Sequence, residues 1–241
     1  MRHFYQKLRE TYQGEEINAT ATYENGLWTY ETENVPAPVF DVTLTSRQAV
    51  VFGNGLSRAQ FKYTANIFNQ SKLLTYGCNA FYRDHTPDFL ICNSNTIAQE
   101  LINSGYPDSK IVYTNSDQIF DHPGKFYLIP QDPQWNAGAM AAYMAAFDGH
   151  RKVFLLGFDG QDTHAYNNNC YADTNGYSPV HNPPSSDAYD GAALKLLMQT
   201  YPLVEFVHVN ETGKGNIPAA WKDCDNFSRI SFHQLVLECD L

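Results

Sequence analysis

No apolar run in this 241-residue chain is long enough to cross a bilayer, so no membrane span is expected. The opening residues Met1-Arg2-His3-Phe4-Tyr5-Gln6-Lys7 carry no apolar segment of the secretory kind. Cysteine is sparse, at Cys78, Cys92, Cys170, Cys224 and Cys239. The number is odd, the spacings are wide and no Cys-x-x-Cys occurs, so neither a disulfide framework nor a zinc site follows. A reducing, cytoplasmic setting is the simpler expectation. Basic charge is also short: 16 Lys and Arg stand against 26 Asp and Glu, a net charge of −10. Such a surface repels nucleic-acid backbones and anionic lipids, and nucleic acid is not an expected partner. Gly-Lys-Ser/Thr is absent, which removes a Walker-type phosphate loop.

What stands in its place is Gly53-Asn54-Gly55-Leu56-Ser57, directly after the apolar β-branched run Val50-Val51-Phe52. Small residues here let a backbone approach a ligand, and a following helix would turn unpaired N–H groups toward an anion. An NAD fingerprint wants a third glycine, where this chain has Arg58, and an acidic residue about 20 positions on. The second strand candidate instead leads into Asn79, which can bond a base or a sugar but carries no charge.

The apolar content of 43% suits one large globular domain with a small appendage. We expect residues 1–46 to form an N-terminal β-hairpin appendage. Asn25-Gly26 joins two β-prone arms there, and that pair favours the positive φ angles of a tight turn. Residues 47–241 are expected to form a nucleotide-binding-like α/β domain. Short apolar strands are predicted near 49–52, 73–76, 89–92, 110–113, 126–129, 153–156 and 204–209. Helices are predicted near 57–69, 96–104, 137–146, 187–200 and 231–239. That alternation predicts a mostly parallel, Rossmann-like sheet covered by helices on both faces. The long irregular stretch 159–186 reads as a lid or binding loop, or else as a disordered segment.

Ligands of an open parallel sheet lie beyond the carboxyl ends of its strands. The residues to consider are therefore Gly53, Asn54, Gly55, Asn79, Asn93, Asn136, Gly138, Gly157 and Asp159. The asparagines could contact an uncharged polar ligand, or merely cap helices and turns. Asn136-Ala137-Gly138 opens a helix of small side chains that a phosphate could approach, and tight packing wants small residues too. Asp159 could accept from a sugar hydroxyl, hold a metal or cap the loop. His181, in a Pro-rich stretch just before a late helix, is a residue type that serves as a general base, or else an ordinary surface histidine.

In order along the chain, these landmarks resemble glycosyltransferase family 42, the Campylobacter-type bacterial sialyltransferases, and related uncharacterised domains of similar fold. Gly53-Asn54-Gly55-Leu56-Ser57 matches that family's Gly-Asn-Gly-Pro-Ser turn, and Cys78-Asn79-Ala80-Phe81-Tyr82 its Cys-Asn-x-Phe-Tyr. Asn93-Ser94, Gly138, Gly157-Phe158-Asp159 and His181 match further landmarks between about 47 and 209. The resemblance implies a GT-A-like variant of the sheet and inverting transfer from a nucleotide-activated sugar, CMP-sialic acid, to a glycan acceptor hydroxyl. It implies no cofactor and no essential metal. Asn54, Asn79, Asn93, Gly138 and Asp159 would then line the nucleotide site, and His181 would take the acceptor proton. Of the two tyrosines that assist the departing phosphate, Tyr166 matches one, while Gln161 stands at the other position. Ala137 replaces a donor-contacting serine. Two alternatives stay open: a non-catalytic nucleotide or sugar binding module on the same scaffold, and a phosphotransfer enzyme. Homo-oligomeric assembly is compatible with all three.

Overall fold

A computed structural model describes residues 48–115, 118, 121–122, 125–129, 133–159, 168–181, 187–213 and 219–241. It also describes the backbone of 2–9, 16–24 and 27–35. At 187–190 and 219 only the backbone is described. Two sheets are present. The first is an antiparallel meander of β1 (Arg2–Arg9), β2 (Glu16–Glu24) and β3 (Leu27–Val35). Glu24 pairs with Leu27, so the expected hairpin forms around positions 25–26, which themselves lie outside the described residues. The residues before it add β1 as a third strand, antiparallel to β2.

The second sheet has eight strands, all parallel. They are β4 (Gln48–Phe52), β5 (Leu73–Cys78), β6 (Phe89–Ile91), β7 (Ile111–Thr114), β8 (Tyr127–Leu128), β9 (Lys152–Leu156), β10 (Glu205–Asn210) and β11 (Phe227–Ser231). Their spatial order is β11-β10-β9-β4-β5-β6-β7-β8. From β4 the chain winds outward through β5 to β8, then returns to β9 on the other side of β4 and winds the opposite way. The strand order reverses between β4 and β9, and in open α/β sheets ligands bind beyond the strand ends at such a switch point.

Side chains alternate across this sheet, as the two-residue period of a strand requires. Ala49 and Val51 enter a core shared with helices α4 (Ala137–Phe147) and α5 (Asp187–Thr200). Val50 and Phe52 enter a second core with α3 (Asn95–Ser104) and α6 (Phe232–Cys239). The sheet is thus covered on both faces, which is why its strands read as continuous apolar runs. Helix α4 is buried along its whole length except at Gly138, so its alanines are a packing requirement: the helix has no solvent face. Ser94 caps α3 by accepting from Ile97 N at 3.4 Å, and Ser231 with Gln234 closes a capping box on α6.

Two boundaries differ from expectation. The helix predicted over 57–69 breaks into α1 (Ser57–Gln60) and α2 (Thr64–Ile67). Phe61 takes an extended conformation between them and is buried against Phe232, so core packing overrides local helical propensity. Strand β11 was not predicted; only Ile230 of its five residues is buried, and an edge strand shows little apolar pattern. Asn226 sets its register, its side-chain amide closing on the carbonyls of Met198, Tyr201 and Val204 at 2.8–3.1 Å. Among the described residues, no helix is long and apolar enough to cross a membrane.

Candidate functional site

The ends of β4 and β9 meet through their glycines. A side-chain carbon on Gly53 would lie 2.3 Å from Gly157 O, and one on Gly55 would lie 2.5 Å from Asp159 Oδ2. Gly157 itself has φ +81°, a left-handed conformation that suits glycine. The space these residues leave open is therefore filled by protein. This corrects the expectation that it admits a ligand: the glycines let two strand ends close on one another. Gly55 N–H donates to Gly157 O at 2.9 Å across the same seam. The helix behind the turn is also shorter than expected. Helix α1 has four residues, and its leading Ser57 N–H is held by Asp159 Oδ2 at 2.8 Å. The Ser57 hydroxyl donates to the other carboxylate oxygen. Asp159 thus caps the start of α1, a role apart from the three expected for it.

Around this seam the predicted asparagines do converge. Asn54 follows β4, and its Nδ2 donates to Cys78 O at the end of β5 (3.4 Å) and to the Tyr177 hydroxyl (3.1 Å). Asn79 follows β5 in a left-handed conformation (φ 46°), and its Oδ1 accepts from Asn93 N at 3.2 Å. Asn93 follows β6 and donates through Nδ2 to Trp135 O at 2.8 Å. The next residue, Asn136, caps α4 by accepting from Ala139 N at 2.8 Å. Gly138 lies under Phe158, whose ring carbon would stand 3.5 Å from an added side-chain carbon. The chain of contacts runs from β4 through β5 and β6 to the start of α4 and back to the β9 turn. Gly53, Asn54, Gly55, Asn79, Asn93, Asn136, Gly138, Gly157 and Asp159 therefore share one rim.

The three remaining candidates fare differently. Gln161 and Tyr166 lie outside the described residues. His181 is exposed, and among the described residues no hydrogen bond joins it to the rim.

Two residues that sequence reasoning passed over are built into the rim. Tyr177 belongs to segment 168–181, which folds down over the Gly-Asn-Gly turn. Cys170 N–H donates to Asn54 O at 2.8 Å, and Leu56 N–H donates to Asn168 Oδ1 at 3.2 Å. Tyr171 donates to Asp84 at 2.7 Å and accepts from the buried Arg58 at 3.1 Å. Arg58 in turn lies over the Phe81 ring at 4.6 Å. Burial raises the Tyr177 phenol well above its ordinary pKa, so it is neutral near pH 7. The second residue is His208 of β10, 2% exposed. Its Nε2 lies 2.9 Å from Phe158 O. A carbonyl only accepts, so Nε2 carries the hydrogen and Nδ1 is a lone pair in the neutral ring. Burial lowers the imidazole pKa and favours that neutral form, against the opposing effects of the Phe158 bond and the nearby Asp159. His208 sits inside the apolar strand predicted near 204–209, and a polar residue two positions before the strand end was the only signal.

Three acceptors near this rim have no hydrogen-bond partner among the described residues: Asn54 Oδ1, His208 Nδ1 and Asn210 Oδ1. Cys92, at the end of β6, is chemically quiet, its thiol pushed up to about 12 by burial. Among the described residues, no group of three or more His, Cys, Asp or Glu side chains could hold a metal ion. Compared with known proteins, the chain matches no family model, no curated protein and no solved structure at a significant level.

Proposed function

We propose that this rim binds a nucleotide-activated sugar and that the protein is a glycosyltransferase-like enzyme. The donor implied by the family resemblance is CMP-sialic acid, transferred with inversion to an acceptor hydroxyl. One observation carries the reading. Asn54, Asn79 and Asn93 follow three neighbouring strand ends beside the switch point of a parallel sheet, with Asp159 at the end of a fourth, and the uncharged amides suit a nucleoside. In this reading the asparagine network holds the nucleoside, and the start of α4 at Asn136 and Gly138 faces the phosphate. His181 takes the proton of the acceptor hydroxyl as segment 159–186 closes over both substrates. Gln161 and Tyr166 donate hydrogen bonds to the departing phosphate.

The exposure of His181, outside the rim network, favours a second reading, a binding module without turnover. One experiment separates them. Thermal denaturation with CMP, CDP, UMP, UDP and GDP is paired with donor hydrolysis by wild type and His181→Ala. The enzyme reading expects stabilisation by one nucleotide and a loss of turnover in H181A of roughly 10²–10⁴-fold with nucleotide affinity kept. Stabilisation without turnover identifies the binding module. Absence of stabilisation by every nucleotide removes both readings.

A further inference from the structure

We infer that Tyr177 is a positioning residue that locks the Asn54 amide with its nitrogen toward Cys78 O and leaves its oxygen as the open acceptor, so that this position of the site selects a hydrogen-bond donor on the ligand. The inference rests on the nucleoside reading above and specifies what the nucleoside must present.

The amide orientation follows from its partners. Cys78 O can only accept, so the nitrogen of Asn54 must face it. The Tyr177 hydroxyl oxygen lies 3.1 Å from the same nitrogen and also accepts from Ala80 N at 3.2 Å. One phenol oxygen thereby ties the turn after β4 to the turn after β5. With both contacts on Nδ2, Asn54 Oδ1 is left buried and without a partner among the described residues. A buried acceptor in that state is costly and is relieved by any donor that reaches it. A bare phosphate oxygen cannot do so. A ribose hydroxyl or an exocyclic base amine can.

Tyr177 is held too firmly to be an incidental neighbour. Arg83 donates to Thr174 Oγ1 at 2.8 Å and to Asn175 O at 3.0 Å, fixing the turn that delivers it. Gly176, at φ +81°, lets that turn press on α3, where a side-chain carbon would come within 2.8 Å of Ile97. The Tyr171 ring packs beside it, centroids 5.6 Å apart.

The test has a structural arm and a ligand arm. Hydrogen exchange of side-chain amides, followed by NMR, reports Asn54 directly. Tyr177→Phe keeps the ring and removes the hydroxyl, and should speed Asn54 exchange by roughly tenfold. The Gln118 amide, bonded to Asn95 Oδ1 at 2.6 Å, should be unchanged. In calorimetry with cytidine, Y177F should bind roughly tenfold more weakly than wild type. Asn54→Ala should lose more affinity than Asn54→Asp, by about fivefold, because the carboxylate still accepts and Tyr177 can donate to it. Uridine and 2′-deoxycytidine then tell a base amine from a ribose hydroxyl as the donor. Unchanged Asn54 exchange in Y177F overturns the positioning role. Equal losses in N54A and N54D overturn the donor requirement. A wild-type protein that binds no nucleoside removes the proposed function and the donor requirement together, while the exchange comparison still decides on Tyr177.

Discussion

At the scale of single residues, the glycines of the rim separate packing from binding. Gly53 has backbone at 2.3 Å from where its side chain would begin, and backbone cannot rotate away. Gly53→Ala should therefore destabilise the protein by about 3 kcal/mol, read as a lower urea midpoint. Gly138 has a nearest contact of 3.4 Å and lies in a helix, where alanine is the better residue. Gly138→Ala should leave stability unchanged or raise it by up to about 1 kcal/mol. If phosphate sits at the start of α4, the same variant should weaken nucleotide binding, so a loss of affinity without a loss of stability would be specific to the ligand. His208 gives a pH signature. Its pKa in the folded chain lies below the ordinary 6.5, so the unfolded chain takes up the proton first. Stability is then greatest above about 6.5 and falls as pH drops toward the folded value. Urea midpoints at pH 7.5 and 5.5 should differ more in wild type than in His208→Gln.

At the scale of elements, one ion pair helps to anchor the strap over the rim. Arg83 grips Glu100 through two nitrogens, at 2.6 and 2.7 Å, and reaches Thr174 with a third. With further bonds from Tyr82 and Asn175, this holds Glu100 down to about 2, against an ordinary 4.5. Its contribution is complete above about 4.5 and disappears as pH falls toward 2. Limited proteolysis should therefore cut within 168–181 faster at pH 3.5 than at pH 5.5, and Glu100→Gln should be cut readily at both. The strap also marks where sequence reading stopped. Strands β4, β5, β6, β9 and β10 were legible because burial on both faces leaves mostly apolar runs. Asn54, Asn79 and Asn93 were legible as a set because each stands just past a strand, and Asn136 because it precedes a helix. Helix 57–69 was misjudged because Phe61 answers to Phe232, far along the chain, and β11 was missed because an edge strand needs little apolar surface. The loop 159–186 was legible as a loop, yet its pairing with Asn54 and Arg83 is made through single polar contacts that no periodicity announces.

At the scale of the whole molecule, the last two elements complete a cover. Strand β11 pairs with β10 along Phe206 to Asn210, and α6 buries Leu235 and Cys239 against the second core. Lys152 ties this corner together, reaching Glu238 at 2.7 Å and Glu205 at 3.4 Å. Removing residues 227–241 should uncover the edge of β10 and the apolar surface beneath α6. Light scattering should find the shortened chain aggregated at concentrations where the full chain stays monodisperse.

The mutual closeness of Gly53 and Gly157 has a consequence for descent. Each residue's backbone sits where the other's side chain would begin, so neither site can drift while its counterpart stays put. Random mutagenesis with selection for soluble expression should find both positions intolerant of every replacement, alone or in double variants. Two loci a hundred codons apart would thus pass between generations as though they were one allele.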